Sequence, residues 1–229
     1  MNTMLTREYY ARHSGIISPD LLKESGVTII GVGGIGSWTA LSLAKLGFKN
    51  LHLIDDDTIE NENIASQFFT EKDVGEYKAK ALAEYLERTF PDLEVTYELS
   101  KAQSSSIYYP IVVSGVDSIE ARINIWDILE LDENVLYYID GRMGGEAMRL
   151  FAMGMMDDNA ITKYEEKLKR RNPVADIPCS EKSIVYNTQV NGGIISSLVK
   201  KCVRGEEIPF EINFDLASYH MMTTWLDKE

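Results

Sequence analysis

Several residue types are scarce here, and each scarcity removes a class of protein. There are two cysteines, Cys179 and Cys202, in 229 residues. They stand in separate contexts, which rules out a disulfide framework and a structural zinc site made of four cysteines. The three histidines, His13, His52 and His220, show no ligand spacing, so no dedicated metal cage is expected. Long apolar runs are missing: none approaches the ~20 residues that cross a bilayer. The first residues, MNTMLTREYYARH, lack the apolar stretch of a secretory leader, so the expected location is cytoplasmic, with no membrane partner. Cations are outnumbered. A formal net charge of -13 argues against nucleic acid as the main partner, because phosphate backbones attract basic surfaces. Repeats, low-complexity tracts and separating linkers are also absent. With 45% hydrophobic residues, residues 1–229 read as a single domain around one sizeable core.

What is present is organised around Val27 to Asp57, VTIIGVGGIGSWTALSLAKLGFKNLHLIDDD. The apolar run Val27 to Val32 reads as a buried strand that breaks into Gly31, Gly33, Gly34 and Gly36. A helix follows from about Ile35 to Leu46 and stops at Gly47. A second apolar run, Leu51 to Ile54, ends on Asp55, Asp56 and Asp57. This is a βαβ unit carrying a dinucleotide-fold fingerprint in its required context. Glycines let backbone N–H groups approach a phosphate, and the helix N-terminus adds partial positive charge there. An acid at the second strand tip accepts hydrogen bonds from ribose hydroxyls. The plainer account is a glycine-rich turn needed only for close helix–strand packing.

Taken in order, residues 1–25 form an N-terminal helical arm, helical from Thr6 to Leu22 with breaks near Gly15 and Pro19. Thr58 to Gly75 is a polar, ordered loop. Glu76 to Phe90 is an amphipathic helix with Lys78 in its first turn, followed by a strand over Leu93 to Leu99. Ile111 to Val113 is a buried strand running into Ser114-Gly115-Val116-Asp117, and Ser118 caps a helix over Ile119 to Leu131. Val135 to Ile139 is a strand ending at Asp140-Gly141-Arg142. From Gly144 the pattern changes: Glu146 to Met155 alternates as an antiparallel strand. Residues 157–182 read as a charged crossover loop over the surface, with a short helix near Ile161 to Arg170. Residues 183–229 read as a long apolar helix and a closing hairpin. The expected fold class is α/β: a Rossmann-like doubly wound sheet, mostly parallel, with antiparallel C-terminal strands.

These motifs, in this order, resemble the ThiF/MoeB/HesA family, the adenylation domain shared with ubiquitin-activating enzymes, over roughly residues 7–205. GVGGIGS is similar to the family's G-x-G-G-[IL]-G-[SC]. LIDDDTIENENIASQ resembles D-x-D-x-[IV]-x-x-S-N-L-x-R-Q. GEYKAKALAEYLERTFPDLEV resembles the G-x-x-K helix with its following strand, and SGVDSIEARINI the D-x-x-x-x-R strand–helix turn. YYARHSGI is similar to an amino-terminal R-Y-x-R-x-I.

The resemblance implies an ATP-dependent adenylyltransferase. Asp55 would bind the ribose hydroxyls, with Asp57 beside it in the D-x-D pair. Gly31, Gly33, Gly34 and Gly36 would face the phosphates, Asn63 and Gln67 would line the phosphate site, and Lys78 would contact the phosphates. Asp117 stands where the family's Mg²⁺-linked aspartate stands. Arg12 matches the arginine that reaches into the partner subunit's site, which implies a homodimer. The implied second substrate is a small ubiquitin-like or sulfur-carrier protein ending in Gly-Gly, whose C-terminal carboxylate attacks the α-phosphate. No general base is needed, since that carboxylate is ionised near neutral pH, so His13 and His52 are read as incidental.

One position departs from the family. Ser66 stands where S-N-L-x-R-Q carries arginine, removing a donor that would steady charge on the transferring phosphoryl group. Either Arg12 or Arg142 substitutes, or the chain holds ATP or a carrier without catalysis. The zinc-binding cysteine pairs of many members are also missing. Cys179, in IPCSEKS just before the long helix, is a candidate for thiol capture of the activated carboxylate, against a structural cysteine. Cys202, late in an apolar helix, reads as buried and inert. Arg142 and the Gly144-Gly145 pair lie near the expected path of the incoming tail, although a hairpin turn accounts for the glycines equally well. A nicotinamide-dependent oxidoreductase would share the fold and Asp55 but leave Asn63, Gln67, Lys78 and Asp117 without a role.

Overall fold

The computed structural model describes residues 10–169 and 183–226. One eight-stranded sheet runs through it in the order β3-β2-β1-β4-β5-β6-β7-β8. The strands are β1 (Gly26–Ile30), β2 (Asn50–Ile54), β3 (Glu94–Glu98), β4 (Ile111–Ser114), β5 (Tyr137–Gly144), β6 (Ala147–Gly154), β7 (Glu211–Asp215) and β8 (His220–Thr224). β3, β2, β1, β4 and β5 are parallel; β6, β7 and β8 continue the sheet antiparallel. The central β1 is buried along its whole length, as a strand covered on both faces must be. The helices are α1 (Pro19–Glu24), α2 (Gly34–Leu46), α3 (Lys78–Thr89), α4 (Ile119–Leu129), α5 (Asp158–Lys169) and α6 (Val185–Val203). Among the described residues, no helix is long and apolar enough to cross a membrane.

Two hydrophobic layers sandwich the sheet. On one face Ile29, Leu53 and Ile139 pack with Leu43 of α2, Leu82 of α3 and Ile195 of α6. On the other, Ile30, Val112 and Tyr138 pack with Trp126 of α4 and Tyr164 of α5. α6 lies close on α2: a Cβ at Gly192 would come within 2.9 Å of the Trp38 backbone.

Three expectations need correction. The strand expected to stop at Ile139 runs on to Gly144, because β6 folds straight back and pairs with it through Gly144↔Ala147. The segment after residue 157 is not an excursion over the surface as far as it is described. In α5, Ala160, Tyr164 and Leu168 are buried, a stripe spaced by four that docks on Trp126 and Phe151. In the arm, Tyr10 is helical, but the described residues 11–17 are not, and helix resumes only at α1, capped by Ser18, whose Oγ accepts from Asp20 N. Residues 11–16 between them form successive turns, and Tyr10 and Ile17 on either side of these turns are buried.

Candidate functional site

Strand order reverses between β1 and β4, and this is the crevice where open α/β sheets hold ligands. The loops leaving the two strands touch: Gly115 N donates to Ile30 O at 2.8 Å, and a Cβ at Gly115 would sit 3.2 Å from Gly31 O. The four glycines divide their work. Gly31 has φ +80°, a backbone region that excludes ordinary side chains. A Cβ on Gly36 would meet Gly31 O at 2.0 Å, and one on Gly34 would meet Met143 and Thr188 side chains at 2.7 and 2.9 Å. Neither position has room for a side chain, while the backbone N–H groups of both belong to the first turn of α2. Gly33 is different. Its nearest neighbour is the Gln67 amide, at 3.6 Å from a built Cβ. It is also the N-cap of α2, with no side-chain cap hydrogen bond, so the first-turn N–H groups of α2 are left for an anion.

A chain of hydrogen bonds leads from this loop to the cation. Val32 N donates to Asp55 Oδ2 at 2.7 Å, Asp57 N donates to Asp55 Oδ1 at 2.8 Å, and Lys78 Nζ donates to Asp57 Oδ2 at 2.8 Å. Asp55 is buried, and burial raises its carboxyl pKa above the ordinary value. The N–H donors of Asp57 and Val32 and the Lys78 charge oppose that shift. Asp55 therefore braces the glycine loop against the tip of β2, and each oxygen keeps a second lone pair for a hydroxyl.

Asn63 spends its carbonyl on a turn, accepting from Glu60 N at 3.0 Å. Gln67 Oε1 is buried with no hydrogen-bond partner among the described residues, an unpaired acceptor beside Gly33 that calls for a donor. Asp117, at the C-terminal end of β4, is exposed.

The remaining candidates separate from this group. Ser66 is 5% exposed; its Oγ accepts from Ser183 Oγ at 3.0 Å, and its carbonyl accepts from Trp38 Nε1 and Thr188 Oγ1 at 3.1 and 2.8 Å. The departure from the family motif is thus a packed junction between α2 and α6. Arg142 does not supply the missing cation. Its Nε donates to Asp140 Oδ2 at 2.7 Å, and its guanidinium lies 4.7 Å from the Phe151 ring centroid, in the α5 layer. Gly144 ends β5 and Gly145 opens the turn to β6, where Asn187 Nδ2 donates to Gly145 O at 2.8 Å. Arg12 is exposed, while Tyr10 packs on Gly47 at the far end of α2 from the glycine loop.

Cys179 lies outside the described residues. Cys202 is buried, and burial pushes its thiol pKa up to about 12, so it is inert as read. His52 is buried between Thr96 and Glu98, and His13 lies against Leu46 O; neither is near the glycine loop.

The sequence reading missed a buried charged group under the crevice: Asp140, fully buried, bonded to Arg122 Nε at 2.9 Å, Arg142 Nε at 2.7 Å and Tyr164 Oη at 3.0 Å. The signal available was the arginine of the D-x-x-x-x-R turn and the Asp-Gly-Arg at the end of β5.

The family model described as ThiF family matches residues 10–220. The Nedd8-activating enzyme E1 catalytic subunit of Drosophila melanogaster is 44% identical over 101 residues, which is 42% of this chain and 22% of that protein. The tRNA threonylcarbamoyladenosine dehydratase of Escherichia coli (strain K12) is 31% identical over 119 residues, 49% of this chain and 44% of that protein. The aligned segments thus make up less than half the length of each of these relatives. The crystal structure of E. coli MccB with ATP superposes with a TM-score of 0.72 at 18% identity, covering 100% of this chain and 74% of that one.

Proposed function

The chain belongs to the ThiF family, and on that premise we propose that it adenylates the C-terminal carboxylate of a small ubiquitin-like or sulfur-carrier protein with ATP. The observation that carries this is the uncapped N-terminus of α2 at the switch crevice, joined through Asp55 and Asp57 to Lys78. That E. coli MccB has been crystallised with ATP supports the choice of nucleotide.

In this reading the triphosphate lies along the α2 N–H groups. Asp55 and Asp57 meet the ribose, Asn63 and Gln67 line the phosphates, and Lys78 turns from Asp57 toward them. A carboxylate nearing the α-phosphate is repelled, so the chain's contribution is to gather positive charge and hold the two reactants in line. Asp117, an exposed carboxylate with no partner among the described residues, fits the role of a Mg²⁺ ligand. Once bound, the ion would neutralise phosphate charge as the carboxylate attacks and pyrophosphate leaves. The product is an acyl-adenylate.

The position of Arg12 supports a homodimer. α2 has 13 residues, about 20 Å at 1.5 Å each, and Tyr10 sits at its far end. Two residues on, Arg12 is better placed to serve the phosphate site of a second copy than its own crevice.

Ser66 favours a second reading, in which the chain holds nucleotide or carrier without catalysis. ATP–pyrophosphate exchange with candidate Gly-Gly proteins separates the two. Exchange abolished by Asp117→Ala supports adenylation; ATP binding with no exchange for any carrier supports the second reading. Partial recovery on mixing Arg12→Ala with Asp117→Ala subunits is the expected sign of an arginine acting across the dimer.

A further inference from the structure

Arg122 is 6% exposed in the first turn of α4, and its guanidinium closes the loop around Asp117. Nη2 donates to Val116 O and, at 3.1 Å, to Gly141 O. Nη1 donates to Ser118 O at 3.2 Å, and Nε donates to Asp140 Oδ1 at 2.9 Å. The carbonyls of Val116 and Ser118, the residues on either side of Asp117, are therefore both held by one rigid, planar cation. Asp117 itself is exposed and makes no hydrogen bond or ion pair with a described residue. Asp140 in turn takes its position from β5, and a second guanidinium, Arg142, shares its other oxygen.

We propose that Arg122, anchored by Asp140, is a positioning residue for Asp117: it fixes the backbone on both sides of that carboxylate, so that the side chain meets a magnesium–nucleotide complex from a loop already ordered. The inference rests on the reading of Asp117 as the Mg²⁺-linked carboxylate. An ordered loop spares the entropy of fixing it at the moment of binding, and groups that orient a metal ligand typically matter tenfold or more for metal affinity. A buried ion pair serving the core alone would need only the Asp140 contact; the bonds to Val116 O and Ser118 O are what tie it to the site. Lysine keeps the charge opposite Asp140 but, as a point donor, cannot span those carbonyls as well.

The test compares the full chain with Arg122→Lys and Tyr164→Phe. The latter removes a bond to the same Asp140 without touching the loop carbonyls. Backbone ¹⁵N relaxation in the ligand-free protein reads the loop. The wild type and Tyr164→Phe are expected to show order parameters of about 0.85 at residues 116–118, and Arg122→Lys to fall toward about 0.6. ATP titrations in Mg²⁺ and in EDTA read the consequence. Arg122→Lys is expected to lose about tenfold of the magnesium-dependent gain in affinity, with the EDTA affinity unchanged. A mobile loop in the wild type, an unchanged loop in folded Arg122→Lys, or an equal loss in Tyr164→Phe overturns the proposal. The wild-type relaxation decides even if Arg122→Lys does not fold. If the wild type binds no ATP in either condition, the adenylation reading fails, and the relaxation data alone support or overturn the clamp.

Discussion

Lys78 is tied to Asp57 twice: its backbone N–H donates to Asp57 O at 3.0 Å and its Nζ to Asp57 Oδ2 at 2.8 Å. The lysine is nearly buried, with a side chain 9% exposed, whereas the carboxylate is open to water at 68%. An entering phosphate therefore competes with a counter-ion that water stabilises when it is released.

Lys78→Ala should weaken ATP binding about tenfold or more, a change of at least ~1.4 kcal/mol. Its effect on stability should stay below ~1 kcal/mol, because the carboxylate left behind is solvated. Calorimetric titration together with thermal unfolding checks both. An unfolded variant, or one that binds ATP normally, contradicts the placement.

Ser66→Arg restores the family motif on paper but should not improve function. The site has room for a hydroxyl bonded to Ser183 Oγ, under Trp38 and Thr188. Forcing a guanidinium there should cost about 1–3 kcal/mol through overpacking. Denaturant unfolding is the check; a variant as stable as the parent, with faster exchange, would show that the junction opens readily.

Asp140 sets a pH dependence. Burial pushes its carboxyl up, but the Arg122 and Arg142 charges and their hydrogen bonds outweigh it and hold it below the ordinary carboxylate range. A depressed folded pKa means the stabilisation is complete above the unfolded value, near pH 4, and is lost as pH falls through the folded one. Asp140→Asn should remove that part of the acid slope below about pH 4. It should also lower stability at pH 7 by about 3–5 kcal/mol, because two buried guanidinium groups lose their counter-charge. Urea unfolding at several pH values between 3 and 7 measures both. A variant as stable as the wild type at pH 7 would show that the Asp140 charge contributes no net stability.

Much of the site was legible because its signals are local. The glycine loop, Asp55 at the tip of β2, Lys78 opening α3 and Ser118 capping α4 each announce themselves within a few residues. α5 was misjudged because its charged residues dominate a short window, while the stripe Ala160, Tyr164, Leu168 shows its worth only against Trp126. Ser66 looked like a lost catalytic group. Its use as a junction depends on Trp38, 28 positions away, and Thr188, 122 positions away.

The amino-acid order alone determined the βαβ start, the run of strands and helices, the family and the candidates for phosphate contact. Those follow from backbone geometry at glycine, from side-chain periodicity and from charge at element ends, all short-range effects. Only the folded chain decided that Gly34 and Gly36 have no room for a side chain, that Arg142 is committed to Asp140, and that Tyr10, two residues before Arg12, packs at the far end of α2 from the glycine loop. Those outcomes depend on which elements the sheet order makes neighbours, and on how a buried charge must find its partner wherever the fold has placed one.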